Sequence, residues 1–366
     1  MVKRIISAVL ILCLLTLSLS SCAEEPTIRK ATDMLYELNY DDYSAEIPDN
    51  ETAYKEMTGE MACSGVRNGS FVGRNFDYFM SQSPTFVICT TAKEGRYATI
   101  GLGRLANISS ETVDKGLEQE KLDILPWVIQ DGMNEKGLVV FSNVVIKADW
   151  GNVPHTGTNP GAPELNVLFL QRALLDHCAT ADEAIAYMKE YDITPMYSEA
   201  FDLHIMISDP ENNYVVEFIN NEIVVQEHNI MTNYFINVDG IPEHPDGLER
   251  MQLLSEYYDE GNSMEGMYRL MQRAKYTNSY YADNKWVSEL GLTYSDIQNP
   301  PDIIEEMLLS LQMEYEAELE YIKENGLRET TEWWDTVYTS VYDIKSGRVW
   351  ITVHERYDEG PYEFGL

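Results

Sequence analysis

Hydrophobic and polar residues alternate over short stretches through most of this chain, which is the pattern of half-buried β-strands. Longer stretches carry apolar residues at three- and four-residue spacing and predict helices. The predicted strands lie at residues 66–67, 70–72, 85–91, 97–101, 137–145, 204–208, 214–219, 222–226, 231–238, 337–343 and 348–354. The predicted helices lie at residues 165–178, 181–191, 248–258, 263–273 and 303–324.

Local turn and cap signals support several of these boundaries. Asn68 and Gly69 tolerate the positive φ angles of a type I′ turn, so they predict a tight hairpin. Thr180 followed by Glu183 is the capping-box pattern that begins a helix. Because groups of strands alternate with groups of helices, we predict one α+β domain of stacked antiparallel sheets covered by helices.

The N-terminal residues predict export. Lys3 and Arg4 precede an apolar run at residues 5–19, which is short for a membrane span, and small residues then lead to Cys22. This run resembles a bacterial lipoprotein processing site, so we predict a signal peptide at residues 1–21 and a lipid on Cys22. The expected location is the extracytoplasmic face of a bacterial cell membrane. Ordinary signal cleavage with an incidental Cys22 is the alternative.

Residues 22–62 are mostly polar and are predicted to be a pro-segment or linker, hereafter the pro-segment. One amphipathic stretch interrupts it, in which Met34, Leu35 and Leu38 would share one helical face. We expect this face to hold the pro-segment on the catalytic domain at residues 63–366.

The net charge of −35 disfavours nucleic acid and anionic lipid headgroups as partners. The histidines, at positions 155, 177, 204, 228, 244 and 354, show no metal-ligand spacing, and no motif calls for a cofactor. The glycine-containing run at residues 101–106 lacks the surrounding βαβ unit of a dinucleotide site. No Gly-x-Ser-x-Gly elbow is present, which disfavours a serine hydrolase.

The cysteines narrow the search for a nucleophile. Cys13 would be removed with the signal peptide and Cys22 acylated, which leaves Cys63, Cys89 and Cys178. At most one disulfide can form among three cysteines, so at least one thiol of this exported chain stays free. Cys89 lies in an apolar strand pattern and Cys178 ends an apolar helix, whereas Cys63 begins a glycine- and serine-rich stretch.

Several segments together resemble the choloylglycine hydrolase family, which contains bile salt hydrolases, penicillin V acylases and related linear-amide hydrolases. These segments are Cys63-Ser64-Gly65-Val66-Arg67, Gly73-Arg74-Asn75-Phe76-Asp77-Tyr78, Asp131-Gly132-Met133-Asn134-Glu135-Lys136-Gly137-Leu138, Met231-Thr232-Asn233, Gly247-Leu248-Glu249-Arg250 and Thr336-Val337-Tyr338-Thr339-Ser340-Val341-Tyr342-Asp343. The resemblance implies an N-terminal-nucleophile fold, in which two antiparallel sheets lie between helix layers.

The resemblance also implies a role for each matching residue. Cys63 matches the nucleophile, Arg74 and Asp77 the charged pair beside it. Asn134 and Asn233 match the side chains that hold the oxyanion. Arg250 matches a second active-site arginine. Structural readings stay open for each of them: a buried cysteine, an ion pair, turn residues and a helix-surface arginine.

The chemistry is coherent when considered from the residues alone. An α-amine has an ordinary pKa of about 7.7–8.0, so it can take the thiol proton and later protonate the leaving amine. Cys63 carries such an amine only after the Ala62–Cys63 bond is cut. Asp77 would orient the ammonium group and Arg74 would favour the Cys63 thiolate.

We therefore predict an exported cysteine amidase that cleaves a non-peptide linear amide through a thioester on Cys63. A conjugated bile salt, a penicillin and another N-acyl amine all remain candidate substrates. The alternative is a lipid-anchored protein that binds such amides and has lost maturation and catalysis. The sequence leaves open whether copies of the chain form a homo-oligomer.

Overall fold

The computed structural model describes residues 25–52, 63–79, 83–105, 108–150, 153–195, 201–238, 247–275 and 334–366. The predicted signal peptide with Cys22, the bond before Cys63 and the predicted helix at 303–324 lie outside these residues. Within them, no helix has the length and apolar character needed to cross a membrane.

The strands in chain order are β1 (Thr27–Lys30), β2 (Leu35–Tyr40), β3 (Ser64–Asn68), β4 (Phe71–Phe79), β5 (Thr85–Thr90), β6 (Thr99–Gly103), β7 (Ile129–Asn134), β8 (Val139–Ile146), β9 (Glu164–Asn166), β10 (Asp192–Thr194), β11 (Phe201–Ser208), β12 (Asn213–Ile219), β13 (Glu222–Glu227), β14 (Ile230–Met231), β15 (Trp334–Asp343), β16 (Arg348–Val353) and β17 (Tyr362–Gly365). The helices are α1 (Ser110–Lys115), α2 (Gln119–Ile124), α3 (Leu170–His177), α4 (Ala181–Met188), α5 (Leu248–Glu256) and α6 (Met264–Arg273).

Two sheets dominate the described structure. One has nine strands in the order β1-β2-β5-β6-β7-β8-β11-β12-β13, and the other has six in the order β14-β3-β4-β15-β16-β17. Neighbours in both sheets are antiparallel except β2 and β5, which run parallel. A short parallel pair, β9 and β10, lies apart from both sheets.

Apolar side chains place the two sheets between two layers of helices. Helices α3 and α4 pack on the nine-stranded sheet, while α5 and α6 pack on the six-stranded sheet. Between the sheets, side chains from both of them form one buried cluster that includes Cys63, Phe76, Met133 and Phe141. The domain is thus an αββα sandwich, which confirms the predicted α+β fold.

The hairpin formed by β3 and β4 is present, but its turn lies one residue later than predicted, at residues 69–70, and only the first of these has the positive φ that a type I′ turn requires twice. Asn68 pairs with Phe71 across a two-residue turn, and Gly69 adopts a φ of +60°. Glycine is also required by close packing at Gly65, because a Cβ there would lie 2.2 Å from the Phe141 ring. That approach brings β3 and β8 together between the two sheets.

The pro-segment differs from its prediction. Its residues 35–40 form β2, which lies between the edge strand β1 and the parallel strand β5 in the nine-stranded sheet, so the predicted helical face is wrong. Tyr36 and Leu38 join the core beneath the helices, whereas Leu35 joins the layer between the sheets. Such alternation of side chains between two faces is the two-residue periodicity of a β-strand.

Other elements shift by a few residues for identifiable reasons. The helix predicted from residue 165 begins only at Leu170, because the Asn166 side chain caps a short 3₁₀ turn before it. The strand predicted at 231–238 is limited to Ile230–Met231, and the residues after it are irregular. The side chains that hold this irregular segment belong to the site.

Candidate active site

Cys63 lies at the start of β3, one residue before Ser64, which pairs with Asn75 of β4. Its side chain is fully buried within the layer between the two sheets. Its backbone N–H donates to the Asn233 Oδ1 atom at 2.8 Å. After cleavage before Cys63 this nitrogen would be the α-amine, so Asn233 marks where that amine would lie.

Arg74 supplies a buried positive charge to the thiol. Its Nη2 atom lies 3.8 Å from Cys63 Sγ and donates to the Ser142 carbonyl at 2.7 Å. Its Nη1 atom donates to the Tyr338 hydroxyl at 2.6 Å. A guanidinium held at this distance favours the thiolate over the thiol.

Asp131 of β7 balances this charge from the opposite sheet, 3.7 Å from Arg74 Nη1. It accepts hydrogen bonds from Tyr338 and Ser340, at 2.7 and 2.6 Å. Burial raises the pKa of Asp131, and Arg74 opposes that rise. The sequence pointed to Asp131 only as part of the motif at residues 131–138.

A second network of charged and polar side chains, centred on Asp77, lies on the other face of β4. Arg250 donates from Nη1 to Asp77 Oδ2 at 2.7 Å and from Nη2 to Asn233 Oδ1 at 2.6 Å. Thr336 donates to the other Asp77 oxygen at 2.6 Å. Burial raises the pKa of Asp77 to about 7, although Arg250 and Thr336 oppose the rise.

Arg74 and Asp77 do not form the ion pair that was the structural alternative for these two residues. The two residues are three positions apart on one strand, so their side chains project to opposite faces. Arg74 meets Asp131 between the sheets, while Asp77 meets Arg250 on the helix side. Both are near Cys63, but in separate networks.

Asn233 lies beside Cys63. Its Nδ2 atom donates to the Val144 carbonyl at 2.8 Å, and its Oδ1 atom accepts from Cys63 and Arg250. An amide nitrogen carries two hydrogens, so one of them is not used by the Val144 contact. Asn233 thus contacts both the nucleophile residue and the second arginine.

The structure does not bring Asn134 to this site. Its Nδ2 atom donates to the carbonyls of Leu175 and Cys178, at 2.9 and 2.8 Å, at the C-terminal end of α3. Its Oδ1 atom accepts from the backbone of Lys136 and Leu138. The predicted oxyanion role is corrected: Asn134 faces the helix layer, where its side chain stabilises a turn.

Asn143 of β8 is a candidate that sequence reasoning missed. Its side chain is fully buried and donates from Nδ2 to the Met231 carbonyl at 3.1 Å. No donor among the described residues reaches its Oδ1 atom. The neighbouring Ser142 and Val144 carbonyls bind Arg74 and Asn233, so β8 passes directly beside the site.

Cys89 and Cys178 are poorer candidates for the nucleophile than Cys63. Cys63, Cys89 and Cys178 are all free thiols in the structure. Burial raises the pKa of both Cys89 and Cys178 to about 12. No group of three metal-ligating side chains occurs within the ranges that the structure describes.

An αββα sandwich whose candidate nucleophile begins an inner strand defines the class of N-terminal-nucleophile hydrolases. The model of the family described as acyl-coenzyme A:6-aminopenicillanic acid acyl-transferase matches residues 66–300, well over half of the chain. The chain belongs to that family. This confirms the predicted relationship to choloylglycine hydrolases and the prediction of an enzyme for linear amides.

Two solved structures illustrate the similarity. A mutant conjugated bile acid hydrolase from Clostridium perfringens is 17% identical with a TM-score of 0.43, over 84% of this chain and 92% of that chain. Penicillin V acylase from Agrobacterium tumefaciens is 15% identical with a TM-score of 0.40, over 83% of this chain and 85% of that chain. A search of curated proteins finds no match.

Proposed function

We propose that this protein is an exported, lipid-anchored cysteine amidase that hydrolyses a linear amide through a thioester on Cys63. The observation that carries the proposal is the pair of networks around Cys63. Arg74 lies 3.8 Å from the sulfur, and Asn233 lies 2.8 Å from the nitrogen. One network favours the thiolate, while the other holds the group that would remove its proton.

Hydrolysis of the Ala62–Cys63 peptide bond frees the α-amine of Cys63. The amine then takes the Sγ proton, and the thiolate attacks the amide carbonyl carbon. When the tetrahedral intermediate collapses, the C–N bond breaks and the α-ammonium returns its proton to the leaving amine. Water then hydrolyses the thioester, so that a carboxylic acid leaves and the thiol is restored.

Asn233 serves both steps of this scheme. Its oxygen accepts from the Cys63 nitrogen, and its second Nδ2 hydrogen is available for the developing oxyanion. Loss of one oxyanion donor costs other hydrolases about 3–4 kcal/mol of transition-state stabilisation. Asp77 acts on the amine indirectly, because Arg250 links its carboxylate to Asn233.

The proposed substrate class is an N-acyl amine. The family is described by acyl transfer to 6-aminopenicillanic acid, and the similar structures are a conjugated bile acid hydrolase and a penicillin V acylase. Each of these names concerns an acyl group joined to an amine. We propose that the same bond is cut here, with water as the acceptor.

Purified wild-type protein and a Cys63→Ala variant test the catalytic proposal. Wild type should show Cys63 as a new N-terminal residue by intact mass and should hydrolyse N-acyl amines, whereas Cys63→Ala should do neither. The matched Cys89→Ala and Cys178→Ala variants should keep most of the activity. An intact, inactive wild-type chain would favour the amide-binding alternative, and an active Cys63→Ala variant would refute the nucleophile.

The packing of β2 supports retention of the enzyme at the membrane. Leu35, Tyr36, Leu38 and Tyr40 are buried, and burial of such a side chain contributes about 1.5–3 kcal/mol. Together with the ladder to β5, these side chains favour a pro-segment that stays bound after cleavage. A lipid on Cys22 would then anchor the cleaved enzyme through this non-covalent contact.

Cell fractionation with a C-terminal epitope tests the anchor. Cleaved wild-type enzyme should be in the membrane fraction and should be released by mild denaturant. Cys22→Ala should move it to the soluble fraction. Leu38→Asp should also release it after cleavage, because a charge would enter the apolar core. Cleaved wild-type enzyme found wholly in the soluble fraction would contradict the proposed anchor.

A further inference from the structure

The irregular segment that carries Asn233 is held by a buried histidine and a buried glutamate. We propose that His204 and Glu217 are positioning residues, which fix Asn233 against the Cys63 nitrogen. The proposal rests on the proposed amidase reaction, because it assigns these two residues a place in that chemistry.

His204 of β11 holds the chain immediately before Asn233. Its ring is fully buried, and its Nε2 atom lies 2.6 Å from the Thr232 carbonyl oxygen. A carbonyl oxygen only accepts hydrogen bonds, so Nε2 carries the hydrogen. The Nδ1 atom faces Glu217 Oε1 at 3.4 Å, which links the ring to the neighbouring strand β12.

Glu217 holds the chain just after Asn233. Its carboxylate accepts from the backbone of Ile236 at 2.7 Å and of Asn237 at 2.8 Å. The Asn237 side chain donates to it as well, at 2.8 Å. Burial acts to raise the pKa of Glu217, but the hydrogen bonds from His204 and this backbone outweigh it and lower the pKa. Glu217 is therefore ionised.

These contacts matter because no strand ladder holds the segment. Regular pairing ends at Met231, and side chains then bind the backbone on both sides of Asn233. The Asn233 oxygen must meet both Cys63 and Arg250, at 2.8 and 2.6 Å. A displacement of about 1 Å at a catalytic group can cost about 10²-fold in rate.

The loop before β9 contains a matched control. His155 is buried as well, with Nδ1 2.7 Å from Asp202 and Nε2 2.9 Å from the Ile193 carbonyl. It therefore makes the same two kinds of contact as His204, but it binds β10 and not the segment of Asn233. Equal substitutions at the two histidines separate positioning from general stability.

The experiment compares His204→Asn, His204→Gln and His155→Asn in the full-length, matured protein. Asparagine can replace the Nδ1 contact but is too short to reach Thr232, whereas glutamine can place its amide near Nε2. We expect His204→Asn to lower kcat about 10–100-fold with KM within about threefold, and His204→Gln to recover most of kcat. His155→Asn should lower Tm comparably but keep kcat within about twofold.

A second readout needs no substrate. The pH profile of Cys63 alkylation by iodoacetamide depends on the nearby amine, whose hydrogen bond to Asn233 is lost if the segment moves. The profile should shift in His204→Asn and stay unchanged in His155→Asn. If His204→Asn does not fold, the shape-conserving Glu217→Gln takes its place and should shift the profile in the same way.

The outcomes are distinct. A shifted pH profile in the His204 or Glu217 variant, together with an unchanged profile in His155→Asn, supports the positioning proposal. This holds even if the wild-type protein hydrolyses none of the amides tested, because that failure would overturn only the proposed function. Equal effects at His155 and His204, or no effect at either, overturn the positioning proposal. Failure of His204→Gln to recover kcat would also overturn it, because the contact to Thr232 would not be the one that matters.

Discussion

The buried carboxylate of Asp77 should make the stability of this protein depend on pH. Asp77 is fully buried, and its hydrogen bonds come from Arg250 and Thr336. Burial raises its pKa to about 7. Asp77→Asn removes the ionisation while it keeps the shape of the side chain.

The magnitude follows from the difference between the folded and unfolded pKa. An unfolded aspartate titrates near ~3.9, so the difference is about 3 units, which corresponds to about 4 kcal/mol. The folded pKa is the higher one, so the folded state binds the proton more tightly. The stabilisation is complete below pH ~3.9, falls as pH rises to about 7, and is then constant.

The comparison is best made in the Cys63→Ala background, where both proteins keep the same uncleaved chain. Urea unfolding at pH values from about 4 to 8 gives the free energy of unfolding of each. Relative to Cys63→Ala, the Cys63→Ala/Asp77→Asn protein should gain up to about 4 kcal/mol across this range. Parallel curves would show that Asp77 ionises normally in the fold and would refute the reasoning.

Two further substitutions test the structural assignments. Asn134→Ala should lower the free energy of unfolding by about 2–4 kcal/mol, because four hydrogen bonds are lost, but kcat should stay within about twofold. Denaturation and steady-state kinetics measure the two effects. A 10²-fold fall in kcat at unchanged stability would restore the oxyanion role of Asn134. Gly65→Ala should cost about 1–3 kcal/mol, because its Cβ meets the Phe141 ring, and Phe141→Leu should recover part of the loss; no loss in thermal unfolding would contradict the close approach.

The sequence predicted correctly those elements whose structure depends on interactions between neighbouring residues. The hairpin that turns just after Asn68, the Thr180 cap of α4 and the helix at 264–273 all depend on residues that are neighbours in the chain. The α+β class followed from the order of such elements. Cys63 stood out because its surroundings were rich in glycine and serine, whereas Cys89 and Cys178 lay in apolar patterns.

The pro-segment strand was misread because its six residues are compatible with two periods. Met34, Leu35 and Leu38 match a helical face, while Tyr36, Leu38 and Tyr40 match one face of a strand. The pairing with β5, which begins at Thr85, decides between them. A partner 50 residues away leaves no trace in the local pattern, so tertiary contact overrode the local preference.

The same limit applies to the charged partners in the site. Arg74 and Asp77 were recognised, but their partners, Asp131 and Arg250, lie far along the chain on other elements. The strand predicted at residues 70–72 ended before both positions, but in the observed strand, which extends to Phe79, positions 74 and 77 differ by an odd number and must face opposite sides. That parity already argues against a single ion pair.

The separation of the two networks has a chemical consequence. A single pair beside Cys63 would neutralise itself and stabilise neither the thiolate nor the ammonium strongly. With β4 between them, Arg74 acts on the sulfur from within the sheet sandwich, and Asp77 acts through Arg250 and Asn233 on the nitrogen. Strand β4 thus keeps the cation of Arg74 near the sulfur of Cys63 and, separately, a hydrogen-bond acceptor near its nitrogen. In the proposed reaction both groups favour proton transfer from sulfur to nitrogen, because Arg74 lies beside the sulfur and the Asn233 oxygen lies beside the nitrogen.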